Sequence, residues 1–255
     1  MIWSRWSGAG NTFYIADEWN QKWSLAKNIR GKYAKQMCEA FPEATTDGLL
    51  YLEKKEGFDF AWDFYNSDGS SAEMCGNAAR CVALYFQEKI RPQEKIKFLS
   101  TAGEIEVIKL SPGEAQVKMP KLPARTETIG GYFHINSGVP HFVVEAEPKL
   151  DLAKKLRNLP DPLGSNVTFV TKIFNGGCQA VTFERGVEAY TAACGTGAVA
   201  AAVFLAQKQG STRFNIQMPG GLLIVENAAL SQRPFLEGEA KKVYEIECID
   251  SPGER

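Results

Sequence analysis

The sequence predicts an α+β fold of two pseudo-symmetric domains, each a curved, mostly antiparallel β-sheet wrapped around a central helix. Two observations predict it. The order strand, turn, cysteine and small-residue helix occurs around Cys75 and again around Cys194, 119 positions later. Short alternating strands flank both helices, for example at residues 59–64 and 179–183. A repeat of this length indicates paired domains and not a solenoid.

Each predicted half begins with a glycine-containing turn that leads into a strand. Residues 7–13 lead into a strand at 14–16, and the similar segment 137–142 leads into a strand at 143–145. Amphipathic segments follow in both halves. Because their apolar residues recur at helical spacing, residues 23–40 and 150–159 are expected to form the outer helices.

The central helix of each half is predicted to begin directly after its cysteine. Apolar residues recur at helical spacing after Cys75, and residues 198–206 after Cys194 are apolar nearly all round. Such helices are expected to be central and buried. Beyond them, strands with a glycine near the bend are predicted at 96–108 and 214–225.

Two prolines within residues 119–123 interrupt a strand-like run and mark the expected linker. The predicted domains are therefore residues 1–120 and 121–241, with one of the two cysteine motifs in each. We expect a C-terminal strand at about 242–250 to return to the first domain.

Length and charge exclude several classes of protein. A chain of 255 residues with 44% hydrophobic content can bury a sizeable core. Its 29 basic and 30 acidic residues nearly cancel, without a basic block, so neither a nucleic-acid nor a membrane partner is expected. No stretch approaches the ~18 consecutive apolar residues of a membrane span, and the N-terminus lacks the order of a signal peptide. We expect a soluble, cytoplasmic protein.

The six cysteines include no Cys-x-x-Cys pair and are too sparse for a disulfide scaffold. Reduced thiols are therefore expected, and a structural metal site is not. Four of the cysteines are interpreted as small buried apolar residues, namely Cys38, Cys81, Cys178 and Cys248.

The other two cysteines stand where a helix begins, which favours chemistry at their sulfurs. The unpaired N–H groups and the positive end of the helix dipole help a thiol at this position to lose its proton. Gly76 and Gly195 follow Cys75 and Cys194 directly and let the backbone approach a ligand closely. Two buried apolar cysteines without a chemical role are the alternative interpretation.

A series of motifs runs through nearly the whole chain in a fixed order. They are Gly10-Asn11-x-Phe13, Asn66-x-Asp68-Gly69-Ser70, Glu73-Met74-Cys75-Gly76-Asn77-x-x-Arg80-Cys81, Pro140-His141, Asn166, Glu184-Arg185-Gly186 and Ala193-Cys194-Gly195-Thr196-Gly197-Ala198. Together they resemble the cofactor-independent diaminopimelate epimerases. The resemblance implies a cytoplasmic homodimer that acts on a small amino-acid substrate, LL- or meso-diaminopimelate, with neither pyridoxal phosphate nor a metal.

The resemblance also assigns roles. Inversion of an α-carbon needs a base on one face and an acid on the other, and a thiolate and a thiol can fill both roles. Cys75 and Cys194 correspond to this pair, His141 to the histidine that pairs with the first cysteine, and Glu184 to the carboxylate associated with the second. Helix N-termini would stabilise the developing carbanion by holding the α-carboxylate. The implied substrate-binding residues are Asn11, Asn66, Gly76, Asn77, Asn166, Glu184, Arg185, Gly195 and Thr196.

Two residues and one segment depart from the family pattern and leave the substrate open. Val139 replaces an Asn, Thr12 replaces an Asp, and residues 186–191 differ from the usual family sequence. A sister racemase or epimerase with another side-chain pocket is therefore one alternative. A non-catalytic amino-acid-binding protein is another, although anion binding alone has no use for two thiols. The sequence does not decide which cysteine is the thiolate at rest.

Overall fold

The computed structural model describes residues 2–20, 24–40, 46–159 and 164–247. In these ranges short strands alternate with four helices. The helices are α1 (Lys27–Glu39), α2 (Gly76–Lys89), α3 (Leu150–Arg157) and α4 (Gly195–Gln209). The strands are β1 (Ile2–Gly8), β2 (Asn11–Asp17), β3 (Gly48–Glu53), β4 (Phe60–Asn66), β5 (Lys95–Ser100), β6 (Gly103–Ser111), β7 (Glu114–Lys118), β8 (Glu127–Ile129), β9 (Tyr132–Asn136), β10 (Pro140–Glu145), β11 (Asn166–Phe174), β12 (Gly177–Glu184), β13 (Ala189–Tyr190), β14 (Phe214–Met218), β15 (Gly221–Glu226), β16 (Phe235–Glu239) and β17 (Lys241–Glu247).

The chain divides into two units. The first comprises Met1–Val117 and Glu239–Arg255, and the second comprises Lys118–Gly238. In the first unit, β17 returns to pair with β1, in antiparallel register from Ile2 opposite Glu247. Residues 248–250 of the predicted C-terminal strand lie outside the described residues.

Within the first unit, antiparallel pairing predominates. Strand β1 pairs with β2, β3 with β4, β5 with β6, and β6 with β7, all antiparallel. The two parallel pairs, β2 with β3 and β4 with β5, are joined through α1 and α2. A parallel pair needs such a crossover, and a helix is its usual form.

The second unit repeats this order of pairing. Strands β9 and β10 are antiparallel, β10 and β11 are parallel around α3, and β11 and β12 are antiparallel. Strand β12 then runs parallel to β14 through α4, and β14, β15 and β16 follow in antiparallel order. The α+β class and the mostly antiparallel sheets predicted from the sequence are confirmed.

A buried helix lies against each sheet. Helix α2 contacts β1, β2, β6 and β17, and α4 contacts strands from β9 to β15. Strands distributed across a sheet reach one helix only if the sheet curves around it. Residues from Gly76 to Gln87 are all buried, and so are those from Gly197 to Val203. The predicted central position of both helices is confirmed, and α4 ends at Gly210, whose φ of 70° suits glycine.

The outer helices are shorter than predicted. Helix α1 begins at Lys27 and ends at Glu39, inside the predicted range 23–40, and Trp23 lies outside the described residues. Helix α3 ends at Arg157, before the predicted end at residue 159. Asn158 donates its backbone N–H to the Lys154 carbonyl and takes a non-helical conformation, which ends the helix there.

Helix α1 packs against the turn that follows β4 at a point where two backbones touch. A Cβ built on Gly31 would lie 2.5 Å from the carbonyl oxygen of Gly69, and Gly69 itself has a φ of 87°. A side chain larger than hydrogen at position 31 therefore pushes α1 away from this turn.

We expect Gly31→Ala to lower the free energy of unfolding by about 1–3 kcal/mol, the usual cost of overpacking. The sign is informative, because Ala in place of Gly inside a helix otherwise stabilises by up to ~1 kcal/mol. Urea and thermal unfolding measure the effect. Gln36→Ala, at an exposed position of α1, is the matched control and should be nearly neutral. A rise in melting temperature for Gly31→Ala would rule out the close contact.

Candidate active site

Cys75 occupies the N-cap position of α2. Its backbone is extended, with φ −142° and ψ 122°, and its side chain makes no capping hydrogen bond. The first intrahelical bond runs from the Ala79 N–H to the Cys75 carbonyl, at 2.9 Å. The N–H groups of the first turn, at Gly76 and Asn77, therefore have no acceptor within the helix. The sulfur of Cys75 stands beside these donors and is half-buried.

Asn77 connects this helix end to the β1–β2 turn. Its Nδ2 donates to Oδ1 of Asn11 at 2.8 Å, and its Oδ1 accepts from a terminal nitrogen of Arg80, also at 2.8 Å. Asn11 and Asn77 are therefore in direct contact, and their predicted roles toward a substrate stay predictions. Gly8 is needed nearby, because a Cβ there would lie 2.8 Å from the Asn77 carbonyl oxygen.

Arg80 carries a buried positive charge behind Cys75. Its side chain is fully buried, and among the described residues no carboxylate forms an ion pair with it and its Nε has no hydrogen-bond partner. Burial lowers the pKa of the Arg80 guanidinium below its ordinary value, and the sulfurs of Cys81 and Cys75 oppose that shift. The thiols of Cys81 and Cys75 are thus the acidic groups whose charge would act on Arg80. The sequence motif contained Arg80, but its burial could not be inferred from spacing.

Asn66 ends β4 and shapes the turn that precedes Cys75. Its Nδ2 donates to the Ser70 hydroxyl at 3.0 Å, and that hydroxyl donates to Oδ1 of Asp68 at 2.6 Å. The Ser70 hydrogen bond keeps the pKa of the Asp68 carboxyl below its ordinary value. In the structure Asn66 has a turn-forming contact, and its predicted role toward a substrate stays a prediction.

Cys194 occupies the N-cap position of α4 in the same way. Its backbone is extended, with φ −126° and ψ 111°, and the Ala198 N–H donates to its carbonyl at 2.9 Å. The N–H groups of Gly195 and Thr196 lie in the first turn of α4 and thus have no acceptor within the helix. The backbone N–H of Cys194 donates to the thioether sulfur of Met218 at 3.2 Å, and the Cys194 side chain is buried.

His141 lies at the centre of a chain of hydroxyl groups that reaches Cys194. Its Nε2 lies 2.9 Å from the Thr196 hydroxyl, which lies 3.5 Å from the Cys194 sulfur. Its Nδ1 lies 2.9 Å from the Thr168 hydroxyl, and that hydroxyl lies 3.0 Å from the hydroxyl of Thr182. Within the second unit, His141 is therefore connected to the second cysteine. Its predicted pairing with Cys75 stays a prediction.

His141 is held neutral. Burial lowers its pKa to about 3, and the positive charges of His134 and Arg185 contribute in the same direction. The imidazole therefore keeps one N–H and one lone pair throughout the neutral range, so it can donate from one nitrogen and accept at the other.

Asn166 connects His141 to the end of β12. Its Oδ1 accepts from the backbone N–H of Arg185 at 2.9 Å, and its Nδ2 lies 3.4 Å from Nε2 of His141. Glu184 ends β12 and accepts a short hydrogen bond from the Thr191 hydroxyl. The structure thus brings Asn166, Arg185, His141 and Thr196 together, while the predicted role of Glu184 toward Cys194 stays untested.

The two threonines beneath α4 were not recognised in the sequence. Thr168 and Thr182 lie opposite each other on β11 and β12 and are buried. A Cβ on Gly197 would lie 2.3 Å from the Thr182 hydroxyl and 3.0 Å from that of Thr168, so Gly197 permits the close approach of the helix. Polar residues at alternate positions of a predicted strand usually face solvent, which conceals such a buried pair.

Comparison with known proteins decides the family. A family model described as diaminopimelate epimerase matches residues 5–123. The chain is 34% identical to the diaminopimelate epimerase of Hydrogenobaculum over 96% of this chain and 97% of that protein, and 35% identical to that of Thermotoga maritima over 94% and 99%. The chain belongs to the diaminopimelate epimerase family. The resemblance seen in its motifs is confirmed.

A solved structure agrees with the family fold. The hydroxyproline epimerase from Agrobacterium vitis superimposes with a TM-score of 0.70 at 14% identity, over 99% of this chain and 93% of that one. At this identity the likeness concerns the fold alone. No helix within the described ranges is long and apolar enough to cross a membrane.

One departure from the diaminopimelate epimerase pattern has a clear structural setting. Val139 lies in the turn before β10, where its carbonyl accepts from the Ser137 N–H at 3.1 Å. Its side chain is half-buried and apolar, so it offers no hydrogen bond at the position where the motif resemblance leads one to expect an Asn. The backbone of the turn does not depend on the missing amide.

We expect the cysteines to differ in reactivity. Among the described residues Cys75 alone is half-buried, whereas the other four described cysteines are buried. Burial raises the pKa of Cys38 to about 12 and that of Cys178 to about 12, and it raises the pKa of Cys81 as well. Because the thiolate is the reactive form, iodoacetamide near neutral pH should modify Cys75 first among the five described cysteines.

Peptide mass spectrometry at short reaction times measures this order of modification. Labelling in urea is the control, since all six cysteines should then react at similar rates. Native labelling of Cys38 or Cys178 as fast as Cys75 would contradict the burial described above.

Proposed function

We propose that this protein is a pyridoxal-phosphate-independent isomerase that interconverts LL- and meso-diaminopimelate by proton transfer at the α-carbon. The observation that carries the proposal is the pair of N-capping cysteines, one at the start of each buried central helix, in two units with the same strand order. Membership of the diaminopimelate epimerase family supports the reaction and the substrate.

In the proposed mechanism one cysteine is a thiolate and the other a thiol. The thiolate removes the α-proton and becomes a thiol, which leaves an electron pair on the α-carbon. The second cysteine then gives its proton to the opposite face and becomes the thiolate. No net proton is gained or lost, and the two cysteines have exchanged states. After one turnover the enzyme is therefore in the protonation state that catalyses the reverse reaction of the product just formed.

The N–H groups of the first helical turns stabilise the carbanion. The donors of Gly76 and Asn77, and those of Gly195 and Thr196, are of the kind that suits a substrate α-carboxylate, where negative charge grows. Fixed backbone dipoles can supply this stabilisation without an electron-sink cofactor, because they need no reorganisation during the reaction.

We assign Arg80 a supporting role in the first unit. The Arg80 guanidinium is fully buried, and no carboxylate among the described residues forms an ion pair with it. Such a cation favours a negative charge on the Cys75 sulfur. Arg80 therefore favours the thiolate form of Cys75. It acts through Cys75 and is a positioning residue and not an acid or base.

The far end of the substrate carries a second amino-carboxylate group. Asn11, Asn66, Asn166, Glu184 and Arg185 supply polar and charged groups of both signs for such a group. Val139 supplies none, which favours a second candidate function, inversion of a related amino acid with a different side chain. We also propose that the protein acts as a homodimer in the cytoplasm, as is implied by its family resemblance.

Exchange of the α-proton in heavy water tests the proposal. Incubated with LL- or meso-diaminopimelate, the enzyme should introduce deuterium at the α-carbon, detected by NMR and mass spectrometry. A panel of other amino acids, run in parallel, tests the second candidate. Absence of exchange with both diaminopimelate isomers would reject the proposed substrate, and exchange with another amino acid would establish the second candidate.

A further inference from the structure

We propose that Asn166, His141 and Thr196 form a directional hydrogen-bond chain that holds Cys194 as the thiol in the unliganded enzyme. Cys194 is then the acid of the resting state, which leaves Cys75 as the base. The inference rests on the proposed function for its catalytic meaning, whereas the hydrogen-bond chain itself can be tested without substrate.

The direction of the chain is set first at Asn166. The backbone N–H of Arg185 is a donor and lies 2.9 Å from one side-chain atom of Asn166, so that atom must be the carbonyl oxygen. The other side-chain atom is then the NH₂ group. It lies 3.4 Å from Nε2 of His141 and presents a donor to that nitrogen.

His141 is the next member of the chain. Because Asn166 presents a donor to Nε2, that nitrogen is the acceptor, and the single proton of the neutral imidazole is on Nδ1. Nδ1 then donates to the Thr168 hydroxyl at 2.9 Å, and Thr168 donates to Thr182 at 3.0 Å. The opposite tautomer would place two donors, Nε2–H and the Asn166 amide, against each other.

Thr196 carries this direction to the sulfur. Its hydroxyl lies 2.9 Å from Nε2 of His141 and donates its only proton there. The hydroxyl oxygen of Thr196 lies 3.5 Å from the Cys194 sulfur, and toward that sulfur it can only accept a hydrogen bond. A thiol S–H can donate to those lone pairs, whereas a thiolate would meet them as a second acceptor. The arrangement therefore favours the protonated form of Cys194.

The first turn of α4 favours a negative charge on the Cys194 sulfur, and the hydrogen-bond chain acts against it. His141 stays neutral because burial and the charges of His134 and Arg185 oppose its protonation. Met218 faces the backbone N–H of Cys194 and carries no charge.

The first test observes the tautomer directly in the unmodified protein. The chain has two histidines, so long-range ¹H–¹⁵N spectra contain two ring systems, and His134→Gln assigns them. We expect His141 to be protonated at Nδ1 and unprotonated at Nε2, without change across the neutral range. Protonation at Nε2, or an imidazolium in that range, would overturn the proposal.

The second test uses the alkylation rate of Cys194, measured by mass spectrometry relative to Cys75 in the same sample. Asn166→Leu frees Nε2, so His141 can donate to Thr196 and Thr196 can donate to the sulfur. We expect Cys194 to react about tenfold faster, as a hydrogen bond to a charged group allows. The gain needs the Thr196 hydroxyl, so Asn166→Leu combined with Thr196→Val should show none.

An unchanged rate in Asn166→Leu, or a gain that persists in the double variant, would contradict the directional chain. Neither test uses substrate, and each can fail while deuterium exchange into diaminopimelate succeeds. The first test needs only wild-type protein and the assignment variant His134→Gln, so it stands even if the Asn166 variant does not fold.

Discussion

Cys75→Ala and Cys194→Ala should each lower the rate of inversion by at least about 10³-fold, within the range that general acid–base groups contribute. Each variant lacks one of the two proton carriers, so a proton can leave or arrive on one face only. Because the pair acts as a unit, the double variant should lose little more than either single variant. Racemisation assays by circular dichroism or chiral chromatography measure the loss in both directions.

The fold should survive these substitutions. Neither cysteine side chain makes an N-capping hydrogen bond, so Ala removes no helix cap. Cys178→Ala is the matched control, since it removes a buried sulfur from β12 without touching either helix start. It should cost some stability and leave the inversion rate unchanged. Turnover near the wild-type rate in either active-site variant would exclude the two-thiol mechanism.

Arg80→Met is expected to lower the inversion rate by about 10²-fold, the second-largest effect. Met keeps the length of the side chain and removes the buried charge that favours the Cys75 thiolate. It also removes the donor to Oδ1 of Asn77. The pH at which Cys75 becomes alkylated should rise by about one unit or more, which corresponds to ~1.4 kcal/mol per unit.

Arg80→Lys separates charge from geometry. It keeps a cation and loses the planar group that reaches Asn77 and the Gly76 carbonyl. If charge is decisive, Lys should preserve the alkylation profile of Cys75 better than Met. An unchanged profile in Arg80→Met, with a folded protein, would show that Arg80 serves packing alone.

Much of the fold follows from local sequence. Glycine and proline mark the turns, alternating residues mark the strands, and runs of small apolar residues mark α2 and α4. Because the pattern around Cys75 returns at Cys194, the sequence also predicts the repeated order of elements. The starts of both central helices were predicted correctly, since a cysteine followed by glycine interrupts the strand pattern at each.

The parts that escaped prediction depend on contacts between distant residues. Arg80 looks like an ordinary helix-surface cation until α2 is seen to be buried all round. Thr168 and Thr182 resemble solvent-facing strand residues until α4 packs on them through Gly197. The connection of His141 to Thr196 joins residues 55 positions apart, and no local pattern encodes it.

The central claim is that two thiols transfer protons at one α-carbon, and the location of deuterium at low conversion tests it most directly. In heavy water, LL-diaminopimelate should give meso product that carries deuterium at the inverted carbon, while the recovered LL substrate remains almost unlabelled. The acid that delivers the proton has equilibrated with solvent, whereas the base holds the proton it removed. Deuterium in recovered substrate as fast as in product would indicate a single base and contradict the account.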